Sequence, residues 1–247
     1  RTTACVSSQV GCSLNCEFCA TAKLKRMRNL EVAEIVDQVA LIDKQSKLYF
    51  DRPLSNIVFM GMGEPMMNYK NVVDAIRKIT QEDGLGMSAR RITVSTSGIP
   101  KMMKMLADEN LKVKLALSLH SAIEHKRNEI MPFSTKFPLT EIMEAMQYWY
   151  DKTGSRITFE YCVWKGINDG DEDIKALIKY CKQVPCKVNL IQYNPIGEGK
   201  FDHRSVEAEE KYVRELEKAG ITALVRRSRG GDIDAACGQL ANKNSGE

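Results

Sequence analysis

The sequence lacks any apolar run as long as the roughly eighteen residues that a membrane-spanning helix needs. Its first residues, RTTACVSSQ, contain neither the apolar core of a signal peptide nor an amphipathic transit pattern. Internal repeats, low-complexity segments and a domain linker are also missing. These absences argue against a membrane protein and a repeat protein, and they lead us to expect a cytoplasmic protein with no membrane contact.

Net charge and chain length limit the possible protein classes and the number of domains. The 247 residues include 36 Lys and Arg against 32 Asp and Glu, for a formal net charge of +4. This mild excess permits nucleic-acid binding but does not by itself indicate it. A hydrophobic content of 43% supports one large α/β domain or two small ones. Because the first residue is Arg rather than Met, we expect the chain to be part of a longer protein.

Short β-branched runs alternate with amphipathic helical patterns. The first six runs are ACVSSQV, NIVFMG, RITVSTSG, KLALSLH, RITFEYCV and KVNLIQYN. A clear helical pattern begins at Leu30, with Asn29 as the expected N-cap, and a charged helix at about 206–219 precedes a seventh run, ITALVRR. This alternation predicts an α/β fold, a partial (β/α)6 barrel of the TIM type with a C-terminal extension. Its functional loops would follow the carboxyl ends of the strands.

Three of the eight cysteines lie close together in GCSLNCEFCA, as Cys12, Cys16 and Cys19. In a reducing compartment such a cluster indicates metal binding rather than structural disulfides. A cubane of four irons takes one ligand per iron, normally four thiolates, so three cysteines on one loop leave one iron open. An open coordination position is typical of a catalytic metal site. The alternative is a zinc knuckle whose fourth ligand is a distant Cys or His.

The cysteine spacing, with Phe18 before the last cysteine, resembles the cluster motif of the radical S-adenosylmethionine superfamily. The resemblance implies a 4Fe-4S cluster whose open iron is chelated by the amino acid end of S-adenosylmethionine. The segment GMGEP resembles the element that holds the cofactor's amino group, with Gly63 allowing close backbone approach and Glu64 as the anionic acceptor. Further cofactor contacts are expected at the ends of later strands, where polar residues are otherwise typical of turns and helix caps. They are Ser95, Ser118, Leu119, His120 and Asn194.

Two more cysteines stand far apart: Cys5 on the first predicted strand and Cys237 in DIDAACGQL. With CVSSQVGC, GMGEP and RGGDIDAACGQL, nearly the whole chain resembles the RlmN/Cfr family of RNA adenine methyltransferases. The resemblance implies methylation of carbon 2 of adenine in 23S ribosomal RNA and in transfer RNA, with two S-adenosylmethionine molecules per turnover. One alternative is methylation of carbon 8 of a ribosomal adenine. Another is a zinc-stabilised nucleic-acid-binding module without chemistry.

Carbon 2 of adenine is electron-poor, so simple displacement from a sulfonium cannot methylate it. In the mechanism that the resemblance implies, Cys237 is first methylated, and a 5′-deoxyadenosyl radical then removes a hydrogen from that methyl group. The new radical adds to adenine and leaves a covalent protein-RNA adduct. Cys5 removes the ring proton, and a disulfide between the two thiols resolves the adduct. We expect the cations of RRSRGG to favour the Cys237 thiolate, although an isolated cysteine is more often a buried core residue.

Basic residues beside the cysteine triplet and beside Cys237 predict contacts to RNA phosphates, with a solvated surface as the alternative. They are Lys23, Lys25, Arg26, Arg28, Arg226, Arg227 and Arg229. The resemblance also implies a reductase or flavodoxin-type electron donor. It makes residues 1–247 a catalytic core from which the family's N-terminal RNA-binding domain is absent. We further expect a monomer, and we expect Cys162, Cys181 and Cys186 to be structural.

Overall fold

A computed structural model describes residues 2–24, 26–196, 201, 206–228, 230–233 and 235–240. The strands in these residues are β1 (Thr3–Cys5), β2 (Gln9–Val10), β3 (Arg28–Asn29), β4 (Asn56–Phe59), β5 (Ile92–Thr96), β6 (Lys114–Ser118), β7 (Ile157–Cys162), β8 (Cys186–Ile191) and β9 (Ala223–Arg226). The α-helices are α1 (Ala20–Lys23), α2 (Val32–Phe50), α3 (Tyr69–Thr80), α4 (Pro100–Asp108), α5 (Glu124–Ile130), α6 (Leu139–Thr153), α7 (Asp171–Cys181) and α8 (Val206–Lys218).

Seven of these strands form one sheet in the order β1, β4, β5, β6, β7, β8, β9, and every neighbouring pair is parallel. Parallel neighbours require a crossover connection, which the intervening helices supply. Among the described strands, β1 and β9 are the two edges, and the curled sheet remains a half-barrel. The predicted partial barrel is confirmed, and the seventh run supplies its last strand.

A continuous apolar core joins the sheet to the helices. All six residues of β7 are buried, as expected for a parallel strand that is covered on both faces. Trp149 of α6 and Tyr212 of α8 are among the largest fully buried side chains. A smaller apolar cluster contains Trp164, and Cys16 and Phe18 of the cysteine segment pack against it. The core therefore fixes both the strand ends and the position of that segment.

The start of the second helix differs from the prediction. Asn29 lies in β3, which pairs antiparallel with β2, and its Oδ1 accepts from Gln9 Nε2 (2.8 Å). The N-cap of α2 is Glu31, whose backbone N–H donates to the Glu34 carboxylate (2.8 Å) in a capping box. The prediction of Asn29 as the N-cap was wrong. This residue pairs with Gln9 in the two-stranded sheet, and its side chain is hydrogen-bonded to the Gln9 side chain.

The charged helix expected at about 206–219 is confirmed as α8. Within the described part of the chain, we find no helix with the length and apolarity that crossing a membrane requires.

Candidate active site

One cavity lies at the carboxyl ends of the parallel strands, where a half-barrel gathers its functional groups. The structure brings most of the predicted cofactor residues to its wall. They are Gly63, Glu64, Ser95, Ser118, His120 and Asn194. Leu119 differs, because its side chain is fully buried in the apolar core and its backbone N–H donates to the Glu160 carbonyl oxygen (3.0 Å).

Glu64 is buried at the cavity wall and held by the backbone. Its Oε2 accepts from the Ser97 N–H (2.8 Å) and its Oε1 from the Met66 N–H (3.0 Å). Burial raises the pKa of the carboxyl, while these backbone donors act to lower it. The charge of Glu64 in turn raises the pKa of Cys12 and Cys16, so it lies near the cysteine segment. The Thr96 and Ser97 side chains also donate to this carboxylate and act to lower its pKa. A buried carboxylate in such a setting can pair with the ammonium group of a ligand.

The turn that carries Glu64 has no room for a side chain at Gly63. This residue has a φ of +92°, and a Cβ there would lie 2.5 Å from the Gln9 Cβ. The Gln9 Oε1 accepts from the Glu64 backbone N–H (2.9 Å), so the same side chain that excludes a Cβ also fixes the turn. Sequence reasoning missed Gln9, because a polar residue inside the run ACVSSQV carries no distinctive signal.

The segment between β2 and α1 places Cys12, Cys16 and Cys19 together. Burial raises the pKa of Cys16, and the charges of Cys19 and Cys12 raise it further. Burial also raises the pKa of Cys12 to about 11, with a contribution from Cys19. Such mutual effects require the three thiols to be neighbours. All three are free thiols.

The three thiols do not converge as the ligands of a single ion would. Within the described ranges, no group of three His, Cys, Asp or Glu side chains is arranged to hold one metal ion. A zinc knuckle needs four ligands on one ion. A cubane makes a different demand, because each sulfur ligates its own iron and the sulfurs need only surround one face of the cluster. Three thiols on one segment are compatible with that demand.

A buried cation lies beside Cys16. Arg127 of α5 is fully buried, and its Nη2 donates to the carbonyl oxygens of Ser97 (2.6 Å) and Ser118 (3.3 Å). Its Nε and Nη1 have no hydrogen-bond partner among the described residues. Its charge lowers the pKa of Cys16, against the larger effect of burial. Unpartnered buried donors are costly, so Arg127 is suited to an anionic group bound next to Cys16.

His120 is a neutral ring that shapes the cavity wall. Burial lowers its pKa to about 3, and the charge of Arg127 acts in the same direction. Its Nδ1 accepts from the Cys162 backbone N–H (3.2 Å), and its ring meets Phe18 edge-on with centroids 4.6 Å apart. Phe18, the aromatic before the last cysteine, thereby connects the cysteine segment to the end of β6.

The segment 235–240 is tied to the short helix that follows the cysteines. The Gly238 carbonyl oxygen accepts from the Ala20 N–H (2.7 Å). The Thr21 hydroxyl donates to the Leu240 carbonyl oxygen. These two contacts hold residues 235–240 against α1, next to the cysteine segment.

Two side-chain amides tie the same segment to the end of β8. Asn194 Nδ2 donates to the Cys237 carbonyl oxygen (3.0 Å), and Gln239 Nε2 donates to the Pro195 carbonyl oxygen (3.1 Å). Cys237 consequently lines the cavity. Asn194, which we expected as a cofactor contact, lines that cavity and also positions Cys237.

A groove of about 550 Å³ adjoins the cavity and contains both Cys5 and Cys237. Both thiols are exposed to this groove but are otherwise surrounded by protein, and burial raises the pKa of each, that of Cys237 to about 12. The charge of Cys5 also raises the pKa of Cys237, because the two thiols are neighbours in the groove. Arg226 lowers both values by less than burial raises them. Arg226, one of the cations of RRSRGG, thus favours the Cys237 thiolate as expected, but burial outweighs its effect.

The basic residues that we expected to contact RNA differ in whether they line a surface depression or are already paired with a carboxylate. Lys23 and Arg26 line a surface hollow beside Cys12 and Cys16. Arg28 forms a two-armed ion pair with Glu34, with both Nη–Oε distances at 2.7 Å, so it is already paired within the protein. Arg227 lines the groove with Arg226. Lys25 and Arg229 lie outside the described residues.

The three remaining cysteines differ in whether they line the site. Cys162, expected to be structural, lines the cavity at the end of β7, and the charge of Cys237 raises its pKa. Cys181 and Cys186 line neither the cavity nor the groove. The Cys186 thiol donates to the Cys181 carbonyl oxygen (3.5 Å), which agrees with a structural role.

Sequence reasoning missed two buried charged residues at this site, Arg127 and Glu160. Glu160 had a signal, since it interrupts the apolar run ITFEYC of a central strand and a buried charge there needs a reason. Arg127 had none, because it follows the polar residues EHK, typical of a solvated helix face.

The Radical SAM superfamily pattern matches residues 6–181. The half-barrel of parallel strands and the three-cysteine segment after its first strand thus define a protein of the radical SAM class.

The chain is 68% identical, over 98% of its length and 70% of the relative's, to a probable dual-specificity RNA methyltransferase RlmN of Flavobacterium psychrophilum. It is 67% identical, over 99% of its length and 70% of the relative's, to a protein of the same name from Christiangramia forsetii. The crystal structure of a radical SAM methyltransferase from Sphaerobacter thermophilus matches with a TM-score of 0.94 at 43% identity, over 97% of this chain and 70% of that one. The chain therefore belongs to the RlmN family of radical SAM RNA methyltransferases.

Proposed function

We propose that this chain methylates carbon 2 of adenine in 23S ribosomal RNA and, in keeping with the dual specificity named for its relatives, in transfer RNA. The observation that carries the proposal is the presence of Cys5 and Cys237 in one groove that adjoins the cavity of the cysteine segment. Transfer to an electron-poor carbon through a covalent intermediate needs one thiol as carrier and another as base. Direct displacement from a sulfonium would need neither.

The residues of the cavity and of the adjoining cysteine segment fit a 4Fe-4S cluster with S-adenosylmethionine at its open iron. Cys12, Cys16 and Cys19 would ligate three irons, and the two unpartnered donors of Arg127 would face the negative charge of that assembly. The buried carboxylate of Glu64 would accept from the cofactor's ammonium. When bound, the cluster and cofactor supply a methyl group and a radical that removes one hydrogen atom; a flavodoxin-type donor is the proposed electron source.

Cys237 would carry the methyl group as a thioether at the boundary of cavity and groove. Because its pKa is raised to about 12, the thiol is protonated near neutral pH and must lose its proton as the sulfur attacks. The bonds from Asn194 and Gln239 hold the carrier in place. Burial also raises the pKa of Cys5, so its thiol must first lose its own proton, and the resulting thiolate is then a strong base for removing the ring proton of the adduct.

The test is to trap the intermediate. Cys5→Ala enzyme, loaded with the cluster and incubated with S-adenosylmethionine and RNA, is expected to accumulate a covalent protein-RNA adduct on Cys237. Cys237→Ala is expected to give neither adduct nor product, and Cys181→Ala serves as the unaffected control. Normal turnover of Cys5→Ala without crosslinked RNA would refute the two-thiol mechanism. Mapping of the wild-type product decides the position, since methyl on carbon 8 would replace the carbon-2 proposal.

A further inference from the structure

Glu160 is a buried carboxyl that the mechanism above does not use. It lies in β7, is 3% exposed, and lines both the cavity and the groove of the two thiols. Its charge raises the pKa of Cys237 and of Cys162. The carboxyl therefore lies close to the sulfur that would carry the methyl group.

The two carboxyl oxygens of Glu160 differ in their surroundings. Oε1 accepts from Asn189 Nδ2 on the neighbouring strand (2.9 Å) and lies 3.8 Å from Arg226 Nη1. Oε2 is buried and has no hydrogen-bond partner among the described residues. A carboxylate kept only for structure would use both oxygens, because an unsatisfied buried acceptor costs free energy. An unsatisfied acceptor beside a reactive thiol marks a position where a donor from a ligand is missing.

We propose that Glu160 binds the substrate base, with Oε2 accepting a hydrogen bond from the 6-amino group of the target adenine. This inference rests on the proposed function, since it takes adenine to be the base beside Cys237. Adenine has a donor at ring position 6, whereas guanine has a carbonyl oxygen there, which would face the carboxylate as a second acceptor. Asn189 and Arg226 hold the other oxygen, so the accepting oxygen is preorganised.

The test uses two RNA substrates that differ by one group: the natural target, and the same RNA with purine, which lacks the amino group, at the target position. The cluster-loaded wild-type chain is expected to methylate the purine RNA about 10- to 100-fold less efficiently in kcat/KM, the effect of losing one hydrogen bond to a charged group. Glu160→Ala is expected to lose about the same factor on adenine RNA and to act equally on both RNAs. Methylation of Cys237, which precedes contact with RNA, is expected to remain and shows that the variant site is intact.

Glu160→Gln is the second variant, since it preserves the side-chain volume and an oxygen for Asn189 but places an N–H₂ donor where the amino group would bind. Glu160→Gln is also expected to lose the preference for adenine over purine. If Glu160→Ala fails to bind iron, the result with Glu160→Gln tests the inference. The inference is overturned if a variant that methylates Cys237 keeps the wild-type preference for adenine over purine. A role limited to placing Arg226 would slow both substrates equally and give that result. Failure of the wild-type enzyme to form 2-methyladenosine would refute the proposed function instead.

Discussion

At the scale of single residues, the turn after β4 excludes any side chain at Gly63. We predict that Gly63→Ala weakens S-adenosylmethionine binding at least about tenfold and lowers the free energy of unfolding by about 1–3 kcal/mol. The added Cβ would meet Gln9 while the backbone keeps a φ of +92°. Equilibrium dialysis of the cluster-loaded enzyme and urea unfolding measure the two effects.

Gly86→Ala is the matched control for that prediction. Gly86 also has a positive φ, of +58°, but no atom lies within 4 Å of its added Cβ. Its cost is therefore backbone strain alone, about 1 kcal/mol, with cofactor affinity unchanged. Equal loss of affinity in both variants would show that the contact with Gln9 is irrelevant.

Also at this scale, the raised pKa of Cys237 predicts how its reactivity depends on pH. Only the thiolate reacts with iodoacetamide, and with a pKa of about 12 the thiolate fraction grows nearly tenfold per unit as the pH rises from about 7 to about 10. Mass spectrometry of the Cys237 peptide should show this rise. Arg226→Gln should react more slowly at each pH, because the cation that lowers the pKa is gone. A rate that levels off below about pH 9 would contradict the raised pKa of this thiol.

At the scale of elements, the segment 235–240 depends on its contacts with α1. Thr21→Val removes the hydroxyl that donates to the Leu240 carbonyl oxygen while keeping the side-chain shape. We expect amide exchange in this segment to accelerate about fivefold to tenfold, the effect of one lost hydrogen bond of about 1 kcal/mol. Exchange mass spectrometry provides the measurement.

Thr80→Val is the control, since the Thr80 hydroxyl donates to the Ile76 carbonyl oxygen within α3 (2.9 Å). It should leave the exchange of 235–240 unchanged. If Thr21→Val behaves the same way, the contact with α1 does not hold the segment.

Elements with a repeated pattern were predictable from the sequence, and those decided by distant contacts were not. Alternating strand and helix signals predicted the parallel half-barrel, because parallel neighbours leave few other connections. Asn29 has a good capping side chain, but pairing with Gln9, twenty residues earlier, decides its structure. Leu119 shares a strand end with Ser118, yet only its neighbours in the core turn its side chain away from the cavity. Arg127 is buried through tertiary contacts that no local pattern records.

At the scale of the whole molecule, five of the eight cysteines form two sets, a proposed ligand set and the pair that shares the groove. We predict that replacing Cys12, Cys16 or Cys19 with Ala abolishes cluster assembly, because each thiolate would ligate a different iron. Cys181→Ala, at a buried position outside the cavity, should bind iron and sulfide as the wild type does. Iron and sulfide analysis after anaerobic reconstitution tests this. A full cluster in any of the three variants would remove that cysteine from the ligand set.

Among the residues that the structure describes, the sheet stays open between β1 and β9, and this bears on how a polymer reaches the two thiols. The groove that holds them has walls from both edge strands, through Thr3 and Cys5 of β1 and Arg226 of β9. A closed ring of strands would leave such thiols reachable only through the loops at its carboxyl ends. A groove between two edge strands lets one flipped base enter from the side while the nucleotides before and after it stay outside.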